Sequence, residues 1–150
     1  MRRAATYIVF VLLVVGSGSL MGIMNLPGEW YQSLQKPSFN PPAWIFGPVW
    51  TVLYVMIGVA GARIWLKAPR STPMALWLAQ MILNLIWTPA FFGLHSPGFG
   101  LIVILPLLVL IFVFIAKAAA VDRPASLLFW PYALWVSFAT LLNLSLFVLN

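Results

Sequence analysis

Eight basic and two acidic side chains are the only charges in this 150-residue chain, and they leave residues 4–28, 37–62, 71–116 and 124–150 uncharged. A helix that crosses a bilayer needs about 20 apolar residues at a rise of 1.5 Å each. Three of these stretches therefore hold one span apiece. The third is long enough for two, and it breaks at Leu94-His95-Ser96-Pro97-Gly98, where a Pro-Gly pair supplies turn chemistry. With 63% hydrophobic residues and a mean hydropathy of +1.04, a water-exposed surface is excluded for most of the chain. The sequence reads as an all-α membrane protein, a bundle of five transmembrane helices in one domain over residues 1–150. The helices are placed near 5–26, 44–66, 74–94, 98–119 and 125–149. A β-barrel would show short alternating segments instead of continuous apolar runs.

The charges also orient the bundle. With five spans, Arg2, Arg3, Arg63, Lys67, Arg70, Lys117 and Arg123 fall on one side of the membrane and Lys36 on the other. The positive-inside rule makes the first side cytoplasmic, which puts the N-terminus inside and Asn150 outside. The net charge of +6 is thus a topology signal, not the mark of a nucleic-acid partner. Arg2 and Arg3 before an apolar run resemble a signal peptide, but the run resumes through Leu20 to Leu26 with no small-residue cleavage site. There is no Cys, so disulfides, thiolate nucleophiles and cysteine-ligated metals are excluded. No metal site and no required cofactor is expected. Glu29 and Asp122 fall on opposite sides of the membrane, which leaves no pair of groups for acid–base catalysis.

Three helices carry aromatic and amide stripes at helical spacing. The second aligns Gly47, Trp50, Tyr54, Gly58, Gly61 and Trp65. The third aligns Trp77, Gln80, Asn84, Trp87 and Phe91, and the fifth Tyr132, Trp135, Ala139 and Asn143. Amides at membrane depth avoid hydrocarbon, so Gln80, Asn84 and Asn143 should point inward, either at a ligand or as interhelical glue. Trp44, Trp65, Trp77 and Trp130 suit interfacial belts. Trp50, Trp87 and Trp135 sit deeper and fit either an aromatic pocket or a packed aromatic core. The fourth helix, aliphatic from Leu101 to Ala116 apart from Pro106, Phe112 and Phe114, is expected to face lipid.

Between the first two spans, Trp30, Tyr31 and Leu34 form the apolar face of a short interfacial helix. Pro37, Pro41 and Pro42 stiffen the return, so the segment is either a lid over the outer mouth or a plain connector. Gly18 and Gly22 make one G-x-x-x-G, which serves either as a homodimer contact or as close packing inside the protomer. His95, the lone imidazole, is either an exposed loop residue or a haem ligand.

Four segments carry a family pattern: Trp30-Tyr31, Leu34, Lys36-Pro37 and Pro41-Pro42; G-P-V-W-x-x-L-Y at 47–54; Q-x-x-L-N-x-x-W-x-P-x-F-F-G at 80–93; and P-Y-x-x-W-x-x-F-A-T-x-L-N at 131–143. In this register the chain resembles the tryptophan-rich sensory protein and translocator protein family, also called the peripheral benzodiazepine receptor family. The resemblance implies a five-helix bundle, commonly a homodimer, whose pocket opens towards the first loop. It implies as ligands porphyrins and haem, sterols, and benzodiazepine-type or isoquinoline drugs. Carried over residue by residue, the family pocket comprises Tyr31, Trp50, Tyr54, Gln80, Asn84, Trp87, Phe91, Trp135, Phe138 and Ala139. The sterol motif that closes the fifth helix of animal members is absent here, where Leu144-Ser145-Leu146 has no Tyr and no later base. The charge bias suits a bacterial cell membrane.

Three functions are consistent with this reading. The first is a membrane receptor, sensor or transporter that binds porphyrins and related hydrophobic ligands. The second is a light- and oxygen-dependent porphyrin-degrading enzyme in which Trp50 and Trp135 donate electrons. The third is a structural or adaptor protein whose aromatics are core.

Overall fold

A computed structural model describes residues 2–150, and its regular structure among them is helical, with no strand. The five expected spans are present as α1 (Arg2–Met24), α3 (Phe46–Lys67), α4 (Thr72–Thr88), α5 (Pro97–Ala118) and α6 (Arg123–Leu149). A short α2 (Glu29–Ser33) lies in the loop after α1, and a 3-10 turn, Ala43–Ile45, leads into α3. Three of the starts follow one local rule. Ser71, Ser96 and Asp122 each accept a hydrogen bond from a backbone N–H three residues on, and proline opens the first turn of each helix. A side-chain acceptor satisfies an orphan donor while proline presets the backbone without losing a needed N–H.

The far end of α4 departs from α-helix. Pro89 has no N–H to donate, and Pro89–Gly93 closes as a π turn in which Leu94 N donates to Pro89 O at 2.9 Å. The chain then reverses through His95 at φ 50°, the left-handed conformation that a tight corner demands. The sequence break at 94–98 is therefore a three-residue turn, 94–96, between the π turn and the next helix.

Around the bundle the order is α1, α3, α6, α5, α4, with α4 returning to meet α1 only sparsely. α1 and α3 approach closely. A Cβ on Gly58 would stand 2.8 Å from the Val11 backbone, so only glycine lets these helices meet there. The expectation that the fourth span faces lipid needs correction. It is wedged between α4 and α6 and buries Ile104, Leu107, Ile111 and Phe114, while Ile102, Leu105 and Val109 look outward. Aliphatic side chains suit lipid and protein interior alike, so composition does not separate the two. The first span is the more lipid-facing one: only Val14 and Gly18 of α1 are buried.

At the charged end an ion cluster around one buried carboxylate joins three elements. Asp122, 2% exposed, accepts from Arg63 Nε at 2.6 Å and from Arg63 Nη2 at 3.1 Å, and Lys67 Nζ lies 2.6 Å away. Arg63 also donates to the Tyr7 hydroxyl at 3.4 Å, which brings in α1. Burial alone would push the Asp122 carboxyl up. The hydrogen bonds from Arg63, Lys67 and the Ala125 N–H outweigh it and hold the pKa at about 2.

Trp77 is a second correction. It is no interfacial belt residue: it is 5% exposed, its indole N–H donates to Ile57 O at 2.9 Å, and its ring lies over Gly61. Trp44, Trp65 and Trp130 are exposed, as belt residues are.

Candidate ligand-binding site

A cavity of about 460 Å³ opens at the end of the bundle opposite the ion cluster, between α1, α3, α4 and α6 and under the loop that carries α2. Among the residues expected at a pocket, Tyr31, Trp50, Tyr54, Trp87, Phe91, Trp135 and Ala139 line it. The helical stripes deliver them. Trp50 and Tyr54 are one turn apart on α3, Trp87 and Phe91 one turn apart across the α4 π turn, and Trp135 and Ala139 one turn apart on α6.

The rings form two walls. Trp50 lies 5.4 Å from Tyr54 and 6.5 Å from Trp135, the two indoles meeting at 86°. Phe46 closes on Trp135 at 5.7 Å. On the other side Trp87 lies 5.4 Å from Phe91, and Phe91 4.7 Å from Phe92. Separations and angles of this kind are favourable edge and tilted contacts. Rings of both walls line the cavity.

Three expected residues do not line the cavity. Phe138 packs behind Trp135 at 5.7 Å and towards Phe39 of the loop at 6.3 Å. Gln80 and Asn84 lie deeper, in a buried chain of hydrogen bonds. The Tyr54 hydroxyl donates to Asn84 Oδ1 at 3.5 Å, Asn84 Nδ2 donates to the Tyr132 hydroxyl at 2.7 Å, and Tyr132 donates to Gln80 Oε1 at 2.8 Å. Family positions that point inward need not reach the ligand, because a helix one turn deeper meets the neighbouring helix instead.

The sequence reading also missed a whole wall. α1 contributes Gly18, Ser19, Gly22 and Ile23 to the lining, and Asn25 follows just past its end. A Cβ on Gly18 would collide with the ring of Tyr54, so of the two uses open to the G-x-x-x-G, Gly18 serves packing inside the protomer. Gly22 has open space beside it on the cavity side. The small-residue stripe was the available signal, since small residues beside an aromatic stripe mark a place where rings need room. Asn143 was placed on the α6 stripe and does line the cavity. It accepts from Trp87 Nε1 at 3.0 Å and donates to Pro97 O at 2.8 Å, which fixes the Trp87 indole.

The loop closes over the mouth through aromatic and amide contacts. Trp30 stacks on His95 at 4.8 Å and 6° and meets Phe91 edge-on at 5.7 Å, while Tyr31 meets Phe92 at 5.4 Å. The Asn150 side chain accepts from Gln35 N and donates to Gln35 O, both at 3.0 Å, and so pairs the loop with the end of α6.

Comparison with known proteins places these features in a family. The profile of the TspO/MBR family matches residues 8–149. The chain is 44% identical over 129 residues to Tryptophan-rich protein TspO of Chlorobaculum tepidum, covering 83% of this chain and 82% of that one. It is 33% identical over 139 residues to Tryptophan-rich sensory protein of Cereibacter sphaeroides, covering 93% and 88%. To Translocator protein of Homo sapiens it is 34% identical over 142 residues, covering 84% and 79%.

Proposed function

The chain belongs to the TspO/MBR family of membrane proteins, and on that premise we propose that it binds porphyrins such as protoporphyrin or haem in the aromatic cavity, as a sensor or transporter. The observation that carries the reading is the pair of aromatic walls. Trp50 and Trp135 stand on one side, Trp87 and Phe91 on the other, around a cavity of about 460 Å³, within the range of small-molecule sites. A ligand already dissolved in the bilayer gains little from the hydrophobic effect on entering such a site. Its affinity must come from ring stacking, about 0.5–1.5 kcal/mol per aromatic pair, and from the polar atoms at the rim and floor.

Protein in lipid nanodiscs is titrated with protoporphyrin while the Soret band and tryptophan fluorescence are followed. Saturable quenching with one porphyrin per chain, reversed by an isoquinoline-type competitor as the family resemblance implies, is the expected result. Quenching that grows only in proportion to porphyrin dissolved in the lipid would reject the reading in favour of a structural or adaptor protein. Membrane orientation follows the charge bias, with the N-terminus cytoplasmic in a bacterial cell membrane. A homodimer rests on the resemblance alone, and its seam lies away from Gly18, which Tyr54 already covers.

A second reading has its own observation. Trp50 and Trp135 face one cavity with ring centres 6.5 Å apart, an arrangement suited to electron donation to a light-excited porphyrin. Illumination of the complex in air, with Trp50→Phe and Trp135→Phe beside wild type, separates the two. Protein-dependent loss of the Soret band that disappears in a variant still able to bind supports degradation, and equal bleaching in all three leaves binding alone.

A further inference from the structure

The buried chain Tyr54–Asn84–Tyr132–Gln80 has a property that no single member has. Gln80 and Tyr132 are wholly buried, Asn84 is 4% exposed, and Tyr54 alone of the four lines the cavity. Each hydroxyl has one proton and accepts as well as donates. Each amide has a donor end and an acceptor end. In the arrangement described above every proton points away from the cavity: Tyr54 donates inward, Asn84 donates to Tyr132, and Tyr132 donates to Gln80. Tyr54 then shows only oxygen lone pairs to a ligand, and the chain ends at a Gln80 Nε2 that has no partner.

Turning both amides over and rotating both hydroxyls produces the opposite chain on the same heavy-atom positions. Gln80 Nε2 now donates to Tyr132, Tyr132 donates to Asn84 Oδ1, and Asn84 Nδ2 donates to Tyr54. The number of hydrogen bonds is unchanged, one atom of Gln80 is unpaired in either sense, and Tyr54 is free to donate into the cavity. Its long 3.5 Å bond to Asn84 makes Tyr54 the member that is least committed.

We propose that Gln80, Asn84 and Tyr132 form a reversible hydrogen-bond relay that lets Tyr54 meet either a donor or an acceptor on the ligand, so that the pocket takes flat aromatic ligands of both hydrogen-bonding polarities. Gln80 and Tyr132 are positioning residues that act through Asn84. The inference rests on the cavity being a ligand site, not on the ligand being a porphyrin.

The choice of Gln80 as the point of intervention follows from the relay. A Met at position 80 keeps an unbranched chain of similar length but has no N–H and only a weak acceptor. The sense in which Tyr132 donates to residue 80 would then strand the Tyr132 hydroxyl proton. The reversed sense, in which Tyr54 donates into the cavity, leaves only an oxygen short of a partner, the more tolerated deficit in buried sites. Gln80→Met therefore locks the relay with Tyr54 as donor.

Three tricyclic probes of one shape test this: fluorene with no hydrogen-bonding group, carbazole with an N–H, and 9-fluorenone with a C=O. Wild type should bind carbazole and fluorenone each about two- to tenfold tighter than fluorene, the value of one hydrogen bond. Gln80→Met should reduce carbazole to the fluorene level and leave fluorenone preferred. Tyr54→Phe should bring all three together. Loss of one probe only is a readout that damaged packing does not produce. Equal weakening of all three in Gln80→Met, or equal binding of the three to wild type, would overturn the relay while leaving the pocket standing. If no probe binds wild type, the pocket reading falls and the relay with it. Protoporphyrin binding, measured separately, tests the porphyrin reading and leaves the two senses of the relay undecided.

Discussion

Replacing Asp122 with Asn should destabilise the bundle at neutral pH and make its stability indifferent to acid. The amide oxygen of Asn still accepts from the Ala125 N–H, so the helix cap survives and only the ionic partners of Arg63 and Lys67 are lost. The magnitude follows from the carboxyl, which moves from 3.8 to about 2 on folding, a shift equivalent to roughly 2 kcal/mol. Lys67 is 52% exposed, so solvent screening reduces the figure to on the order of 1–2 kcal/mol. A pKa lowered by folding adds stability that is present in full above the unfolded value and is lost as pH falls from about 4 through 2. The sequence holds only one other carboxylate side chain, Glu29, exposed at the opposite end of the bundle, so the acid limb is almost free of background. Thermal unfolding in detergent, followed by tryptophan fluorescence from pH 7 to 2, reads the effect. Wild type should lose the 1–2 kcal/mol, about 2–8 °C for a chain of this size. Asp122→Asn should start lower by that amount and stay flat across the window. Equal midpoints at pH 7, or parallel acid limbs, would refute the view that this cluster ties α1, α3 and α6 together.

Trp77→Phe removes the hydrogen bond to Ile57 O and should cost about 1 kcal/mol of stability, measured by the same unfolding assay, with ligand affinity unchanged because Trp77 stands outside the cavity. Gly18→Val should displace the Tyr54 ring and weaken ligand binding about tenfold, the equivalent of 1.4 kcal/mol, in a nanodisc titration. Its oligomeric state by size exclusion should stay that of wild type, whereas a seam at Gly18 would shift it. A periplasm-specific reporter fused after Asn150 should be active, and activity of a cytoplasmic reporter alone would reverse the proposed topology.

The spans were legible because charge-free length and the Pro-Gly break at 97–98 are local signals that a bilayer leaves no freedom to override. Trp50, Trp87 and Trp135 were legible as interior because they sit away from the ends of the expected spans, where belt placement has no purpose. Trp77 was not, since its distance from the helix end matches a belt residue and only the facing carbonyl of Ile57 and the gap at Gly61 reveal its role. The side of α5 that packs was hidden for another reason: an aliphatic face does not distinguish lipid from protein. Gln80 and Asn84 were rightly turned inward, but whether an inward amide reaches the cavity or a tyrosine hydroxyl on α6 depends on helix register across the bundle, which one stripe does not encode. The Asp122 cluster joins residues 59 positions apart, beyond the reach of periodicity.

The central claim is that the aromatic walls bind the ligand, and its most direct test is the affinity of the Trp50→Leu, Trp135→Leu double variant for protoporphyrin beside wild type in the same nanodiscs. Loss of two stacking rings at about 0.5–1.5 kcal/mol each predicts binding weaker by roughly fivefold to a hundredfold, with helix content by circular dichroism unchanged and with Trp65→Leu, on the outside of the bundle, binding as wild type. A double variant that binds protoporphyrin as tightly as wild type would contradict the account.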